Sequence, residues 1–566
     1  MNFPRDRQKT FLRSLLSGHR LYFLTFLFLF LSGPVLSARE DTYRYIIRNA
    51  YVFDGKSPEG FLGDVAISED KIAAVGNLKD AKALEEIEGK DLVLAPGFID
   101  VHTHSDFNPL VYPELPNKLM QGVTTEIIGN CGMSAAPVLG PFYQEVKSVW
   151  AREGVMIPQP ISWRTYGEYR RTIEAAGLLT NFVGFVGHGN LRAAVLGFSA
   201  REATQSEIQE MKKLLDEAMK DGAYGISFGL VYIPGVYADG KEVTELCREA
   251  AKNAGLCSFH MRSEGNQLIE AIQEVITVAA RAQAKVQISH LKASGKRNWE
   301  KIDEAFQLIE DAKRRGIQIA SDAYPYHAGS AELGVILPSN LYQRPDRDEY
   351  FKNIFNREEI LRVLRVYDEK NYFSWDSVVL ASARDEAYWP YEGLSLKDIA
   401  RRTHKEPEKF LMDILIDNDF QVNAFYFSQS KDVVERVLQK PYVMIGSDSI
   451  ADGSRRPHPR AYGTFPKIFK DYVRSKKLLL MGEAIRKMTS FPAEYFGLSG
   501  RGMIREGYYA DLVLLNADRI QDKATYERPD QMSEGIEWVF VNGMPVVRKG
   551  IATELKKGRF LKQEWF

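Results

Sequence analysis

The chain has 566 residues, which is more than one hydrophobic core usually serves, so we expect one large domain and at least one smaller one. Its 45% hydrophobic and 26% charged residues are ordinary for a globular protein. The 74 basic and 75 acidic side chains give a formal net charge of −1 at pH 7. This balance argues against nucleic acid as a partner, because nucleic-acid-binding proteins carry a strongly basic surface.

Residues 1–38 have the layout of a signal peptide. Basic residues precede an apolar run over residues 21–31, a Ser-Gly-Pro sequence ends the run, and small residues at 35–38 suit cleavage. The competing interpretation is an uncleaved membrane anchor, but a spanning helix needs about 20 apolar residues. We therefore expect a secreted or periplasmic protein without a stable membrane partner after cleavage.

Short β-rich segments lie near both ends of the chain. Residues 43–95 combine strand-like stretches with glycine turns, and residues 496–566 contain similar stretches and the hairpin signal Asn542-Gly543. We expect the two segments to form one small β-sandwich domain that brings the chain ends together.

Between these segments, residues 96–495 alternate strand-like and helical stretches. The eight apolar strand segments begin near Gly97, Val123, Phe182, Tyr224, Cys257, Val286, Ile317 and Val443. This alternation predicts an α/β fold, a (β/α)₈ TIM-like barrel. The stretch between the seventh and eighth segments is too long for a connecting loop, so we expect a lid-like insertion at about 327–425.

Polar residues follow most of these strand segments. They are His102, His104, Cys131, His188, His260, His290 and Asp448. Strand ends of a parallel barrel meet at one rim, and imidazole and thiolate groups that converge there suit Zn²⁺. Five of the nine histidines lie at such ends, which chance explains poorly. His188 is left out of the metal set, because the glycines around it also fit a turn; it is a candidate hydrogen-bond donor to a substrate carbonyl.

The three cysteines have different expected roles. An odd number in an exported protein leaves at least one thiol unpaired within the chain. Cys131 belongs to the expected metal set. Cys247 and Cys257 fit small buried core residues, and a disulfide between them stays an open alternative.

Several motifs together carry a resemblance to a known family. They are His102-Thr-His104, Gly129-Asn-Cys131-Gly, Gly187-His188-Gly-Asn-Leu-Arg192, His260-Met-Arg262, Ser289-His290-Leu-Lys292, Asp322-Ala-Tyr324-Pro-Tyr326, Gly446-Ser-Asp448 and His458-Pro-Arg460. Over about residues 43–550 the chain resembles the D-aminoacylases, which are N-acyl-D-amino-acid deacylases of the amidohydrolase superfamily. The resemblance implies a zinc-dependent enzyme that hydrolyses the amide bond of a small-molecule N-acyl-D-amino acid to a carboxylate and a free D-amino acid.

The resemblance also implies which residues hold the metal. Cys131, His260 and His290 form the tight zinc site, and His102 and His104 form a second site that is weakly filled. Cys131 takes the place of the carboxylated lysine that bridges metals in many amidohydrolases, and the fourth strand segment here contains no lysine.

The reaction itself follows from a metal-bound water. Asp448 takes a proton from this water and passes it to the leaving amine.

A second group of residues is implied to bind the substrate. Lys292, Tyr324 and Arg460 grip its carboxylate, and Ser330 assists. Arg262 is a candidate either for binding the substrate carboxylate or for orienting the neighbouring ligand His260. Tyr232 is a candidate pocket residue.

Two alternative functions stay open at this point. One is a cyclic-amide hydrolase of the dihydropyrimidinase or dihydroorotase type, against which the missing lysine argues. The other is an inactive metal-binding protein on an amidohydrolase scaffold, against which the presence of Asp448 and every candidate ligand argues.

The N-terminal pattern generates a first prediction. In the native host, the mature protein is expected to begin after Ser37 or Ala38, because the small residues there suit signal peptidase. N-terminal sequencing of the purified protein checks this, and material that begins at Met1 contradicts it.

Overall fold

The computed structural model describes residues 42–152, 157, 160–369, 374–450 and 456–563. The predicted signal peptide, residues 1–38, lies outside these described residues. All elements below belong to the unit Tyr43–Phe566. Within the described part of the chain, no helix combines the length and the apolar character needed to cross a membrane.

The described residues form 21 strands, numbered in chain order. They are β1 (Tyr43–Val52), β2 (Phe61–Ser68), β3 (Lys71–Gly76), β4 (Ala83–Glu88), β5 (Val93–Pro96), β6 (Phe98–Asp100), β7 (Val123–Ile128), β8 (Asn181–Gly184), β9 (Val186–Gly187), β10 (Gly225–Gly229), β11 (Leu256–His260), β12 (Lys285–Ile288), β13 (Ile319–Ala323), β14 (Gly329–Glu332), β15 (Val378–Ala383), β16 (Val422–Tyr426), β17 (Val443–Ile445), β18 (Leu512–Leu515), β19 (Ile536–Val541), β20 (Met544–Arg548) and β21 (Ile551–Ala552).

The α-helices are numbered in the same way. They are α1 (Asn108–Val111), α2 (Phe142–Arg152), α3 (Tyr166–Ala176), α4 (His188–Leu196), α5 (Gln205–Lys220), α6 (Gly240–Lys252), α7 (Leu268–Ala282), α8 (Lys301–Arg314), α9 (Ser339–Tyr342), α10 (Arg347–Lys352), α11 (Arg357–Glu369), α12 (Leu396–Thr403), α13 (Pro407–Asp417), α14 (Lys431–Gln439), α15 (Arg460–Lys467), α16 (Met481–Met488) and α17 (Ser490–Phe496).

Eight parallel strand positions form a closed barrel. One ladder runs β6-β7-β8 and another runs β9-β10-β11-β12-β13-β17. Only Phe185 separates β8 from β9, and its backbone N–H donates to the carbonyl of Ile128, so β8 and β9 act as one strand position. A parallel bridge between Thr103 and Ser449 joins the first position to the last. The predicted TIM-like barrel is therefore confirmed.

Local sequence explains where the barrel helices begin. Thr165 and Glu168 form a capping box at the start of α3, and Thr204 and Glu207 form another at the start of α5. In each box the threonine side chain and the glutamate side chain satisfy backbone N–H groups that have no partner in the helix. The strands between the helices are buried throughout, as is usual for parallel sheets covered on both faces.

The chain ends meet in one curled sheet. Its order is β21-β20-β19-β18-β5-β1-β2-β3, with β4 paired to β1. Tyr45 of β1 lies edge-on to Phe540 of β19, with ring centroids 5.6 Å apart, although β5 and β18 separate these strands in the sheet. The sheet therefore folds over its own apolar core, as expected for a sandwich built from both ends.

The segment between β13 and α14 has its own small sheet and core. The antiparallel order is β14-β16-β15, and residues such as Leu333, Ile360, Leu411 and Phe420 form a cluster separate from the barrel core. The expected insertion at about 327–425 therefore contains folded structure. Its action as a lid and the domain boundaries given above stay predictions.

Two sequence expectations need adjustment at the level of single elements. The seventh strand is β13 (Ile319–Ala323), which begins two residues after Ile317. His188 does not sit in a turn, because it is the first residue of α4.

The thiols of Cys131, Cys247 and Cys257 are all buried and free, so the alternative disulfide between Cys247 and Cys257 is not formed in this structure.

Candidate metal centre

The first group of candidate metal ligands lies at the barrel seam. His102 and His104 follow β6, and Asp448 follows β17. The Nε2 atoms of both histidines lie 3.3 Å from Asp448 Oδ1. The Sγ atom of Cys131, in the loop after β7, lies 3.3 Å from His102 Nε2. These four side chains each offer a ligand atom within 4.8 Å of the others.

The second group shares Cys131 with the first. His260 ends β11 and His290 follows β12. His290 Nε2 lies 3.1 Å from His260 Nδ1 and 3.7 Å from Cys131 Sγ. The three ligand atoms again lie within 4.8 Å of one another. Cys131 therefore stands between two sets of imidazoles, where one thiolate can serve two metal positions.

Unusual backbone conformations aim three of these side chains. Cys131, His290 and Asp448 have φ of 53°, 37° and 50°, in the left-handed region that few residues with a Cβ adopt. Each follows the end of a barrel strand. Strain of this kind persists where the surrounding structure fixes it, and it is concentrated at functional sites.

A tight loop holds Cys131 in this position. A Cβ on Gly132 would lie 2.3 Å from the backbone nitrogen of Gly229 in β10. The N–H of Gly132 donates to Ser227 Oγ, and Ser227 Oγ donates to the carbonyl of Gly129. Glycine at position 132 therefore lets the Cys131 loop pack directly on the neighbouring strand.

The buried charges stabilise one another. Burial opposes ionisation of Cys131, but His102, His104 and His260 outweigh it and hold the pKa of the thiol well below its usual range. Burial likewise opposes ionisation of Asp448, but Arg460, His290 and His102 hold its pKa well below the usual range. The site therefore offers two anions, a thiolate and a carboxylate, among imidazoles.

The same anions act on the imidazoles. Burial disfavours the charged form of His104, but Asp448 and Cys131 outweigh it and raise its pKa to about 9. Burial and the Lys292 ammonium also disfavour the charged form of His290, yet Glu264, Asp448 and Cys131 raise its pKa to about 9. Both imidazoles are thus in the charged form, with both ring nitrogens protonated, at neutral pH in the protein without metal.

Two carboxylates orient the ligands from outside the cluster. Asp322 Oδ1 accepts the backbone N–H of His290 and lies 3.3 Å from His102 Nδ1. Glu264 Oε1 lies 2.7 Å from His290 Nδ1 and 2.6 Å from Lys292 Nζ. Such partners leave the opposite ring nitrogen of each histidine free to bind a metal.

The three predicted carboxylate-binding residues surround the centre. Arg460 Nη1 lies 2.7 Å from Asp448 Oδ2, and its guanidinium lies 4.8 Å from the centre of the Tyr324 ring. The Lys292 ammonium lies 5.8 Å from the same ring. Lys292, Tyr324 and Arg460 are all buried. The structure therefore brings the three together.

Two other predicted residues, Tyr232 and Ser330, lie near this part of the structure. Tyr232 packs edge-on against His260, with ring centroids 4.9 Å apart. Ser330 lies in β14 of the insertion, next to Gly329, whose added Cβ would lie 3.3 Å from the Tyr324 hydroxyl. Tyr232 therefore borders the cluster, and β14 brings Gly329, the neighbour of Ser330, next to Tyr324.

Arg262 and His188 are engaged elsewhere. Arg262 pairs with Glu274 at 3.0 Å and donates to the carbonyls of Val236 and Ala238, so it braces the loop after β10. His188 is fully buried, and its Nε2 lies 2.7 Å from Glu242 Oε1. Neither residue belongs to the two groups of possible metal ligands found among the described residues.

The donor set fits a divalent transition metal. Thiolate and imidazole are the protein ligands that zinc and its neighbours prefer, and in each of the two groups the ligand atoms lie within 4.8 Å of one another. Cys131 supplies the negative charge that partly neutralises a divalent ion. His102, His104, Cys131, His260 and His290 could therefore hold one or two ions.

A family comparison agrees with this geometry. The model of the amidohydrolase family matches residues 85–343 and 393–547, which cover most of the chain. The chain belongs to the amidohydrolase family. The unmatched residues between the two parts, 344–392, lie inside the insertion.

Characterised relatives of this amidohydrolase cover nearly its whole length. D-aminoacylase from Alcaligenes xylosoxydans xylosoxydans is 34% identical over 518 residues, which are 91% of this chain and 97% of that protein. Solved structures include N-acyl-D-glutamate deacylase from Bordetella bronchiseptica in complex with zinc and a phosphonate inhibitor, at 28% identity and a TM-score of 0.79. A D-aminoacylase structure matches at 33% identity and a TM-score of 0.77. Both comparisons cover 92% of this chain and all of the solved one.

The raised pKa values of His104 and His290, at about 9, generate a prediction. Below about 9 these imidazoles are protonated in the metal-free amidohydrolase, so an incoming metal ion must displace protons. Proton release on Zn²⁺ addition is therefore expected at pH 7 and is expected to fall as the pH rises through about 9.

Calorimetric titration of metal-free protein in buffers of different ionisation enthalpy measures this release. A binding heat at pH 7 that is the same in every buffer would contradict it.

Proposed function

We propose that this amidohydrolase hydrolyses the amide bond of N-acyl-D-amino acids to a carboxylate and a free D-amino acid. The observation that carries the proposal is one buried cluster in which Cys131 and four imidazoles lie beside the ionised Asp448, with Arg460 and Lys292 next to them. The relatives support the substrate class, because they include a D-aminoacylase and an N-acyl-D-glutamate deacylase.

We infer zinc as the metal. Cys131, His260 and His290 would hold one ion, and His102 and His104 would hold a second, weaker one with the same thiolate. The zinc-bound structure of N-acyl-D-glutamate deacylase supports this choice. When bound, zinc polarises the substrate carbonyl and lowers the pKa of a coordinated water to about 7.

Asp448 is the proposed proton carrier. Burial raises its pKa, but Arg460, His290 and His102 outweigh burial and hold the pKa well below the usual range, so Asp448 is ionised before the reaction. Arg460 Nη1 holds Oδ2, and Oδ1 faces His102 and His104. The carboxylate therefore stays fixed while it takes a proton and delivers it to the leaving amine.

Arg460 and Lys292 are the proposed contacts of the substrate carboxylate. Each already lies against a protein carboxylate, Asp448 or Glu264, so neither is a free cation. Arg460 still has hydrogen-bonding capacity, since its buried Nε has no acceptor within the described residues. A guanidinium with a free N–H suits a second carboxylate. Tyr324 borders the same space, and the strand that carries Ser330 lies beside Tyr324.

Enantiomer selection follows from fixing two ends of the substrate. The substrate carboxylate is held by Arg460 and Lys292, and its amide carbonyl is held at the metal. With both groups fixed, the side chain on the α-carbon can point in only one direction, and this direction differs between the two enantiomers. Displacing a reacting group by about 1 Å costs on the order of 100-fold in rate.

Export is a further part of the proposal. The N-terminal pattern of basic residues, apolar run and small residues supports secretion or delivery to the periplasm. An uncleaved anchor stays the alternative.

Enantiomer discrimination is the main test of the proposed function. N-acetyl-D-amino acids are expected to be hydrolysed with kcat/KM about 100-fold or more above that for the L enantiomers. A screen of matched D and L substrates, including acidic amino acids, apolar amino acids and dipeptides, measures this, with a cyclic dihydropyrimidine as the control substrate. Equal rates on both enantiomers, or turnover of the cyclic amide alone, would sink the proposal.

Replacement of the shared thiolate tests the metal assignment. Cys131→Ala removes a ligand and a negative charge, so metal affinity is expected to fall about 100-fold or more, since changes even outside the ligand set cost 10–100-fold. Turnover should fall with it while the barrel stays folded. Metal analysis and circular dichroism of the purified variant check this.

Cys247→Ala is the matched control. Cys247 is fully buried in α6 and outside both ligand groups, so its replacement should leave the metal content near that of the wild type. If Cys131→Ala keeps its full metal content and activity, the thiol has only a packing role.

A further inference from the structure

His458 lies among three aromatic rings, two residues before Arg460. Its ring is edge-on to those of Tyr326, Phe425 and Tyr526, with centroid distances of 5.3, 5.3 and 5.2 Å and interplanar angles of 85° to 87°. The side chain is buried. Three edge-on aromatic contacts fix both the position and the rotation of the imidazole.

Each ring nitrogen of His458 has one backbone partner. The N–H of Arg460 donates to Nδ1 at 3.1 Å, and Nε2 lies 3.1 Å from the carbonyl oxygen of Ala328. Because a backbone N–H can only donate and a carbonyl can only accept, Nδ1 must be the acceptor and Nε2 must carry the proton. Burial and the nearby Arg460 guanidinium also hold the pKa of His458 well below its usual range, so the ring is neutral.

The two partners belong to separate segments of the chain. Arg460 is the first residue of α15, and His458 satisfies its otherwise unpaired N–H. Ala328 lies at the neck of the insertion, between Tyr324 and Ser330. A second bond joins the same segments, since the Tyr326 hydroxyl donates to the carbonyl of Pro459 at 3.4 Å.

These segments carry the groups proposed to bind the substrate carboxylate. Arg460 reaches Asp448 and the Tyr324 ring, and Gly329, next to Ser330, lies against the Tyr324 hydroxyl. We propose that His458 is a positioning residue: its neutral imidazole clamps the Tyr324–Ser330 segment to Arg460 and so sets the geometry of the carboxylate-binding subsite. This inference rests on the proposed function, because it concerns the substrate of the same site.

Loss of the clamp should affect substrate binding more than metal binding. His458 is not among the candidate metal ligands, and its two bonds reach backbone atoms. Loosening it should let Arg460 and Tyr324 drift apart while the metal ligands keep their places. The expected signature is therefore weaker binding of the substrate at nearly unchanged metal content.

The test uses His458→Phe in the full-length protein. Phenylalanine keeps the aromatic packing and removes both hydrogen bonds, so the variant should fold. KM for an N-acetyl-D-amino acid is expected to rise about tenfold, a change of about 1.4 kcal/mol, at unchanged zinc content. The fall in kcat is expected to be smaller than the rise in KM, and it arises because Arg460 also holds Asp448. An unchanged KM, or a loss of kcat that follows a loss of zinc, overturns the proposal.

Two conservative variants separate the bonds. His458→Asn offers a carbonyl oxygen near the position of Nδ1, and His458→Gln offers an N–H near the position of Nε2. Each should recover part of the KM increase seen in His458→Phe. KM values as high as that of His458→Phe in both variants mean that the ring packs without positioning, which also overturns the proposal.

Phe427→Leu is the matched control. Phe427 packs against Tyr526 at 4.9 Å in the same aromatic cluster, is half-buried, and lies outside the Tyr324–Ser330 segment. Its replacement should leave KM within about twofold of the wild type. A rise equal to that of His458→Phe shows that any change in the cluster has this effect and overturns the specific role.

A double-variant comparison tests the route of the effect. If His458 acts through Arg460, then His458→Phe should raise KM by less than about twofold in an Arg460→Lys background, since coupled residues are not additive. Full additivity contradicts this route. Wild-type turnover separates the proposed function from the clamp. A wild type that does not hydrolyse N-acyl-D-amino acids refutes the proposed function, whereas an active wild type whose KM does not change on replacement of His458 refutes only the clamp.

Discussion

The structure depends on the position of one buried thiolate. Cys131 Sγ lies within 3.3 Å of His102 and 3.7 Å of His290, so it connects two groups of imidazoles that come from opposite parts of the barrel. An anion among these rings offsets the cost of burying them and gives a divalent ion its counter-charge. Cys131 follows β7 in a left-handed conformation. The next residue packs directly on Gly229 of β10, which explains the glycine at position 132.

The barrel seam gives this centre its rigidity. Lys118 is buried and donates to Asp100, Ser447 and Ser449, and Asp100 accepts the N–H of Ser447. These bonds join the first strand position to the last, on either side of Asp448. An ion pair of this kind is a costly way to stabilise a core, but it fixes register, and here the register decides where His102 and Asp448 meet.

The sequence predicts those parts of the site that follow local periodicity. Alternate residues of a strand share a face, so the pair His102 and His104 could be placed on one rim before the fold was known. Glu264 escaped the sequence analysis, because it lies in a loop and its partners His290 and Lys292 follow the next strand. Asp322 was visible within a motif, but its contact with His102 depends on barrel closure. The small sheet of the insertion was equally hidden, since β14 and β16 pair across a long stretch of chain.

The pairing of both proposed substrate cations with protein carboxylates shapes how the site can work. A free buried cation would be costly, so Asp448 and Glu264 keep Arg460 and Lys292 partnered in the absence of substrate. A substrate carboxylate then adds a third charge to each pair. Its binding gains only the difference between its own attraction to the cation and its repulsion from the protein carboxylate. Substrate affinity must therefore come from geometry, that is, from N–H groups and aromatic side chains that are already in position. A neutral residue such as His458 has no charge to offer the substrate, but it can matter as much as the cations because it fixes this geometry.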